Sequence, residues 1–223
     1  MLPKINLSEL EKINGIGKKT LQEVRKYLIN KGDIEKKSIE EVGFPNEEFD
    51  VIYADPPWKY GSKHYQDGNR EFKKLDDYYS QMNISELKQL PVNKISKDNS
   101  LLFMWVTDSH IKEGIEVMNA WGFDYKTIAF NWIKHYESGK RCVNFSPYTL
   151  KSWEICLLGT KGKTGDIMVS NNVQGYVNAV RTKHSKKPQQ VVNKINELVG
   201  DKNKIELFAR RKLEGWTVWG NEV

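Results

Sequence analysis

The sequence lacks the features that mark secreted, disulfide-stabilised and membrane-spanning proteins. Only two of its 223 residues are cysteines, Cys142 and Cys156, and we interpret both as free thiols of a reducing compartment. The N-terminal stretch MLPKINLSEL has no apolar run of the signal-peptide kind, and no window approaches the roughly 20 apolar residues of a membrane span. These absences predict a cytoplasmic protein with no membrane association.

Two nucleotide-binding signatures are also missing. The glycine-rich stretch GTKGKTG, residues 159–165, would need a glycine in place of Leu157 to fit a P-loop. No G-x-G-x-x-G follows a strand pattern, which argues against a nicotinamide enzyme. The four histidines show no metal-ligand spacing, so we expect no metal site.

Positive charge is in excess. The chain has 35 Lys and Arg against 29 Asp and Glu, a net charge of +6, which favours a polyanionic partner such as nucleic acid. Seven tryptophans and ten tyrosines supply enough apolar area for a core. The length fits one medium domain and a small appendage.

Residues 1–36 form the predicted appendage. Ser8 and Glu11 have the spacing of a capping box, and the segment INGIGKKTL places a glycine turn between two helical patterns. This arrangement resembles the helix-hairpin-helix motif of DNA-binding proteins, although an ordinary helical hairpin with a glycine turn has the same outline. The resemblance implies that backbone N–H groups at the turn hold a DNA phosphate. The residues it assigns to that contact are Gly15, Gly17, Lys18 and Lys19.

The main domain is predicted over residues 49–223, after a charged connector over 37–48. Short apolar runs alternate with helical patterns, which indicates an α/β fold with a mostly parallel, doubly wound sheet and helices on both faces. The predicted strands are Val51–Ala54, Leu101–Val106, Thr127–Ile133, Glu154–Leu158, Ile205–Phe208 and Thr217–Trp219. The predicted helices are Ile84–Leu90, Ile111–Trp121 and Pro188–Val199.

The stretch VIYADPPWKY ends the first of these strands abruptly. Proline donates no hydrogen bond to a strand ladder, and each residue before a proline is held extended. The strand therefore stops in a stiff turn that carries the Asp55 carboxylate and the Trp58 ring. Ligands bind at such strand ends in open α/β sheets.

The turn suits methyl transfer to an exocyclic amino group. The lone pair of adenine N6 is delocalised into the ring, which makes N6 a poor nucleophile. A carboxylate from Asp55 and the carbonyl of Pro56, each accepting one N–H, would favour a pyramidal nitrogen with its lone pair directed at an electrophile. Trp58 offers a ring on which a base can stack.

The DPPW motif and the segments after it resemble the adenine N6-methyltransferases related to the catalytic subunit of the eukaryotic mRNA adenosine methyltransferase, the MT-A70 family. The matching segments, in the family's order, are LLFMWVTDSHIKEGIEVMNAWGFDYKTIAFNWIK, WEICLLGTKG, HSKKP, KIELFARR and GWTVWGNE. The resemblance implies a Rossmann-like class I methyltransferase sheet. It also implies S-adenosyl-L-methionine as the cofactor.

The resemblance also assigns the site residues by motif. The catalytic residues are Asp55, Pro56, Pro57 and Trp58. The cofactor-binding residues are Asp55, Lys187, Glu206, Phe208, Arg210, Asn221 and Glu222. The residues near the target base are Trp58, Tyr79, Glu154 and Lys187.

Together these features predict a DNA adenine N6-methyltransferase of a bacterium or phage, acting in the cytoplasm. The basic segment 59–79, with Gly61 and Gly68, is expected to close over the site. Two alternatives stay open, namely the same chemistry on RNA and a catalytically inactive, nucleic-acid-binding paralogue. A homodimer is compatible with the sequence, which leaves the oligomeric state undetermined.

Overall fold

The computed structural model describes residues 43–59, 81–145, 148–182 and 186–220. Contacts divide the chain between Phe44 and Pro45, and almost all of the described residues belong to the unit that starts at Pro45. The predicted helix-hairpin-helix segment over 1–36 and most of the connector lie outside the described residues. Segment 59–79 lies outside them as well, apart from Lys59.

The described main-domain residues form one seven-stranded sheet with the order β7-β3-β6-β2-β1-β8-β9 and a separate two-stranded hairpin. The strands are β1 (Phe49–Ala54), β2 (Ser96–Val106), β3 (Asp124–His135), β4 (Asn144–Phe145), β5 (Leu150–Lys151), β6 (Trp153–Lys161), β7 (Tyr176–Val180), β8 (Lys204–Leu207) and β9 (Thr217–Trp219). The α-helices are α1 (Ile84–Gln89), α2 (Val92–Ile95), α3 (Ile111–Ala120) and α4 (Gln189–Val199).

The centre of the sheet is buried on both faces. Every residue from Leu101 to Val106 of β2 is buried, as are Val51–Ala54 of β1. Continuous apolar runs of this kind are typical of strands that are covered on both sides. The central strands therefore form a rigid base for the turn that follows β1.

Helices α3 and α4 cover opposite faces of the sheet. Trp105 and Cys156 pack in one buried cluster with the apolar side of α4. Their chain neighbours Val106 and Leu157 face the other way, because alternate strand residues point to opposite faces. There they meet α3 at Gly114, where an added Cβ would lie 2.6 Å from Val106 Cγ1. The glycine thus lets α3 pack closely on β2.

The predicted α/β fold is confirmed, with one departure in strand direction. Pairings β1–β2, β1–β8, β3–β7 and β8–β9 are parallel, in agreement with the mostly parallel sheet that was predicted, although β7 itself was not. Strand β6 is antiparallel to both of its neighbours, β2 and β3. The apolar residues of a strand do not indicate its direction, so this reversal could not be predicted from the sequence.

Element bounds also differ in places from those predicted. Strand β2 starts at Ser96, five residues before the predicted Leu101, because its polar first half still pairs with Phe49 of β1. Pro188 is the N-cap of α4 rather than its first residue. Strands β4, β5 and β7 and helix α2 were not predicted.

Candidate functional site

The predicted main-domain site residues that the structure describes come together at one edge of the sheet. The carboxyl ends of β1, β2, β3, β7, β8 and β9 all lie at this edge, since these strands run in the same direction. The reversed strand β6 starts there, with Glu154 as its second residue. Ligands of open α/β sheets bind at such an edge.

The turn Asp55–Trp58 follows β1 directly and is held by backbone hydrogen bonds. The N–H of Trp58 donates to the carbonyl of Pro56 with an N–O distance of 2.9 Å. The N–H of Met82 donates to the carbonyl of Pro57, also at 2.9 Å. A carbonyl oxygen has two lone pairs, so the Pro56 carbonyl keeps acceptor capacity for a ligand.

Trp58 fixes the turn to the neighbouring strand. Its indole Nε1 donates to the carbonyl of Trp105 at 3.0 Å, and only 6% of the residue is exposed. The ring is stacked on His110, with 5.7 Å between ring centroids and 26° between planes. The Nδ1 of His110 in turn lies 2.9 Å from the hydroxyl of Thr107. These contacts make Trp58 an anchor of the turn, and its predicted stacking with a base stays a prediction.

Next to this turn, four largely buried side chains alternate in charge. Lys187 Nζ lies 2.6 Å from Asp55 Oδ1 and 3.5 Å from Glu154 Oε2. The other carboxylate oxygen of Glu154 pairs with Lys134. We call Asp55, Lys187, Glu154 and Lys134 the charge chain. It joins the end of β1 to β6, β3 and the segment before α4.

Within the charge chain, the neighbouring opposite charges favour the ionised forms of Lys187 and Glu154. Burial opposes the charge of Lys187, yet the carboxylates of Asp55 and Glu154 raise its pKa above the ordinary lysine value. Burial likewise opposes ionisation of Glu154, but Lys187 and Lys134 lower its pKa below the ordinary value. At the outer end burial dominates and lowers the pKa of Lys134, although Glu154 works against this shift. Opposite charges thus stabilise each other in a site with little water.

The predicted cofactor residue Glu206 lies on β8, next to β1. Its backbone pairs with Tyr53, two residues before Asp55. Its carboxylate oxygen Oε2 is buried and receives no hydrogen bond from the described residues. Burial raises the pKa of Glu206 from 4.5 to about 7, with a further increase from Asp55, while the charges of Arg211, Lys187 and Arg210 oppose the shift.

The segment after β8 turns sharply. Phe208 has a positive φ of 62°, and its ring meets Trp219 edge-on at 5.7 Å between centroids. An added Cβ at Gly220 would lie 2.2 Å from the carbonyl oxygen of Ala209, so the end of β9 passes very close to this turn. Asn221 and Glu222, predicted to bind the cofactor, follow immediately but lie outside the described residues.

The described residues fit a ligand with hydroxyl groups and charges of both signs. The orphaned Glu206 Oε2 can accept a hydrogen bond from a hydroxyl. The charge of Arg210 lowers the pKa of Glu206, and a guanidinium is the kind of cation that suits a carboxylate. The negative charge of Asp55 raises the pKa of the same carboxyl group. These residue types match an S-adenosylmethionine molecule, which carries ribose hydroxyls, a carboxylate, an ammonium and a sulfonium.

Some predicted residues remain untested and some structural ones were missed. Tyr79 lies outside the described residues, as do the phosphate contacts predicted for the N-terminal unit. Sequence reasoning missed Lys134, although a lysine inside the apolar strand FNWIKH was a usable signal. It also missed His110, because nothing in the letters TDSH indicates that its ring meets Trp58.

Two structural checks concern metals and membranes. Within the described ranges, no group of three or more His, Cys, Asp or Glu side chains could hold a metal ion. No helix in the same part of the chain is long and apolar enough to cross a membrane.

Comparison with known proteins gives the family. A family model described as MT-A70 matches residues 49–222. Type II methyltransferase M.MunI of Mycoplasma sp is 37% identical over 191 residues, which cover 80% of this chain and 79% of that protein. Human N(6)-adenine-specific methyltransferase METTL4 is 31% identical over 189 residues, and human N(6)-adenosine-methyltransferase catalytic subunit METTL3 is 27% identical over 179. The match spans only 37% of METTL4 and 28% of METTL3. The chain therefore belongs to the MT-A70 family, whose methyltransferases use S-adenosyl-L-methionine as the methyl donor.

Proposed function

We propose that this protein is a DNA adenine methyltransferase that transfers a methyl group from S-adenosylmethionine to N6 of adenine. The observation that carries the proposal is the stiff turn at the end of β1, in which Asp55 is held by Lys187 at 2.6 Å beside the Pro56 carbonyl. The turn presents two acceptors that are fixed before a substrate arrives. Preorganised polar groups of this kind are a major source of catalytic rate.

In this proposal each acceptor has a defined task. Lys187 occupies Oδ1 of Asp55, which leaves Oδ2 to accept one N–H of the adenine amino group. The free lone pair of the Pro56 carbonyl accepts the other N–H, so the nitrogen lone pair points away from both oxygens. When bound, S-adenosylmethionine would supply an electrophilic sulfonium methyl group, and the electron pair of the broken S–CH3 bond would stay on sulfur as a thioether. When N6 gains its new bond to carbon it must lose one proton, and Oδ2 of Asp55 is the base already hydrogen-bonded to that nitrogen.

The cofactor side of the site is assigned to Glu206, Phe208, Arg210, Asn221 and Glu222. Glu206 Oε2 accepts from a ribose hydroxyl, and Arg210 attracts the carboxylate. Lys187 and Glu154 contribute to the substrate side by fixing Asp55. Tyr79 is proposed to contact the target base.

DNA is the favoured substrate for three reasons. The net charge of +6 suits a polyanion, and the helix-hairpin-helix pattern over residues 1–36 is typical of DNA readers. A relative that matches over most of its own length is a type II methyltransferase of a Mycoplasma, so we also place this protein in the cytoplasm of a bacterium or of a phage-infected host. RNA is the second candidate, because the adenosine methyltransferase METTL3 matches the same domain.

Product analysis tests the proposal. The full-length protein is incubated with tritiated S-adenosylmethionine and, separately, with duplex DNA, single-stranded DNA and RNA, and the digested nucleosides are identified. We expect label in N6-methyldeoxyadenosine. Label confined to RNA would establish the second candidate, and no labelled nucleoside on any substrate would indicate the inactive paralogue.

The N-terminal unit is proposed to contact phosphates rather than bases, through Gly15, Gly17, Lys18 and Lys19. If the two lysines neutralise about two phosphates, Lys18→Ala with Lys19→Ala should flatten the plot of log affinity against log salt by about 1.8, since each phosphate contributes about 0.9. The loss should be equal on duplexes with and without the target sequence. An unchanged salt slope would remove the unit from the DNA interface.

A further inference from the structure

A cleft lies in the outer part of the sheet, away from the turn that carries Asp55. It has a volume of about 210 Å³ and opens beside the last residues of β3 and the first half of β7. Its lining is Ile133, His135, Gly139, Arg141, Tyr176 and Asn178. These residues have no part in the charge chain or the cofactor side. We call this feature the β3–β7 cleft.

The cleft lies on the sheet face that α4 does not cover. Trp132 and Val177, on paired positions of β3 and β7, are buried in the cluster against α4. Their neighbours Ile133, Tyr176 and Asn178 therefore point to the opposite face. Tyr176 is 57% exposed there, so its ring is available to a ligand.

The chemistry of the cleft suits an anionic polymer with apolar groups. Arg141 is exposed, and its guanidinium makes no hydrogen bond or ion pair with any described residue. No acidic residue lines the cleft. The imidazole of His135 and the amide of Asn178 add further hydrogen-bonding groups, and the Tyr176 ring adds a flat apolar surface. Arginine, amide and aromatic side chains in one cleft are the set that contacts phosphate, sugar and base.

The position of the cleft fits nucleic acid that flanks the target nucleotide. In the sheet order, β3 and β7 are three and four strands away from β1. With about 4.8 Å between neighbouring strands, the cleft lies about 14 to 19 Å from the turn that carries Asp55. One DNA strand advances about 3.4 Å per nucleotide, so this distance corresponds to about four to six nucleotides.

We propose that the β3–β7 cleft binds the sugar-phosphate backbone of the nucleic acid a few nucleotides away from the target adenine, with Arg141 on a phosphate and Tyr176 against the adjoining sugar or base. This inference rests on the proposed function, because it takes the substrate to be a nucleic acid. It assigns Arg141 and Tyr176 a role in substrate affinity and none in the chemical step.

Equilibrium binding tests the inference independently of methyl transfer. The full-length protein is titrated into a fluorescein-labelled DNA duplex of about 20 base pairs, long enough to reach the cleft, over a range of salt concentrations. Arg141→Ala should weaken binding several-fold and reduce the salt slope by about 0.9, the share of one phosphate. Tyr176→Ala should weaken binding several-fold but leave the slope unchanged, because the ring carries no charge.

A matched control removes the same charge elsewhere. Lys163 is exposed just after β6, at the opposite edge of the sheet, so Lys163→Ala should leave the affinity and slope at wild-type values. For both cleft variants, kcat at saturating DNA should equal that of the wild type while KM for DNA rises.

Three outcomes would overturn the inference. One is a wild-type affinity and salt slope for Arg141→Ala, and another is an equal loss of affinity in the Lys163→Ala control. The third is a change of oligomeric mass by light scattering in the cleft variants with DNA binding intact, which would make the cleft a contact between copies of the chain. Failure of the proposed function is distinguished by the wild type, which would then methylate no DNA or RNA while the binding results still stand.

Discussion

The proposed substrate side and the proposed cofactor side of the candidate site differ in how their largely buried charges are paired. On the substrate side, Asp55, Lys187, Glu154 and Lys134 alternate in sign, and each lies against an opposite charge. On the cofactor side, the buried Oε2 of Glu206 receives no hydrogen bond from the described residues. The substrate side is thus complete before any ligand arrives, whereas the cofactor side has an acceptor that a ligand can satisfy.

This difference in pairing shifts the pKa values of Glu154 and Glu206 in opposite directions. Glu154 is buried, but two lysines hold its pKa below the ordinary value. Glu206 is also buried, and there burial prevails and raises the pKa to about 7. Burial alone therefore does not decide the charge of Glu154 and Glu206, because charged partners close by can outweigh it.

The largest expected effect comes from removing the acceptor of the substrate side. Asp55→Asn keeps the shape of the side chain but loses its charge and its ability to accept a proton. We expect methyl transfer at saturating substrates to fall at least about a hundredfold, the scale of one preorganised group. Single-turnover rates measure this.

The Asp55→Asn variant should still fold, because Lys187 keeps Glu154 as a partner at 3.5 Å. Circular dichroism and a thermal unfolding curve provide the control. A variant with near-normal turnover would show that Asp55 does not hold the amino group.

A smaller effect is expected from neutralising the cofactor side. The pKa of Glu206 is about 7 in the folded protein against an ordinary 4.5, so between these values the folded state binds more protons than the unfolded state. Stability is therefore lost as pH rises through this window. Glu206→Gln removes the ionisable group and therefore this loss of stability at high pH. After a discount for partial solvent screening, we expect the variant to be more stable than the wild type by about 2 kcal/mol at about pH 8.5. At about pH 5 the two proteins should differ little.

Urea unfolding at the two pH values measures the Glu206 effect. The matched control is Glu197→Gln, which removes an exposed carboxylate of α4 and should change the free energy of unfolding little. Equal stability of Glu206→Gln and the wild type at high pH would contradict the unpaired state of this carboxylate. The same variant should bind S-adenosylmethionine about 1 to 2 kcal/mol more weakly, because an NH2 donor replaces one of the two acceptor oxygens and the charge is lost.

The smallest effect is expected from an exposed ion pair, with which the more buried charges of the site can be compared. Lys88 and Glu116 lie 2.7 Å apart, but their side chains are 37% and 42% exposed. Lys88→Gln should change the free energy of unfolding by less than about 1 kcal/mol, because water and salt screen such a pair. A loss of stability as large as that expected from breaking a buried ion pair would show that exposure does not weaken this pair.

Much of this comparison could be predicted from the sequence, and some of it could not. The letters DPPW indicate a strand that stops in a stiff turn, because proline restricts the backbone locally whatever the fold. The segments WEICLL and HSKKP pointed to Glu154 and Lys187 only through their resemblance to a family. The contact of Lys187 with Asp55 joins residues 132 positions apart, and such contacts depend on strand order, which local patterns do not encode.

Strand order also explains what was missed. Lys134 reaches Glu154 because β3 and β6 are neighbours through an antiparallel pairing that the sequence did not indicate. Strand β7 was overlooked because YVNAV is short, although Val177 and Ala179 alternate with exposed residues as a strand requires. Without β7 the β3–β7 cleft has no second wall, so it could not be predicted.

The most direct test of the central claim compares Asp55→Asn and Glu206→Gln in one measurement, the single-turnover rate of methyl transfer as a function of S-adenosylmethionine concentration. If the substrate side performs the chemistry and Glu206 serves cofactor binding, Glu206→Gln should need more cofactor but approach the wild-type rate at saturation. Asp55→Asn should stay at least about a hundredfold slower at every concentration. A Glu206→Gln enzyme that remains slow at saturation, or an Asp55→Asn enzyme that reaches the wild-type rate, would contradict this division between the two sides.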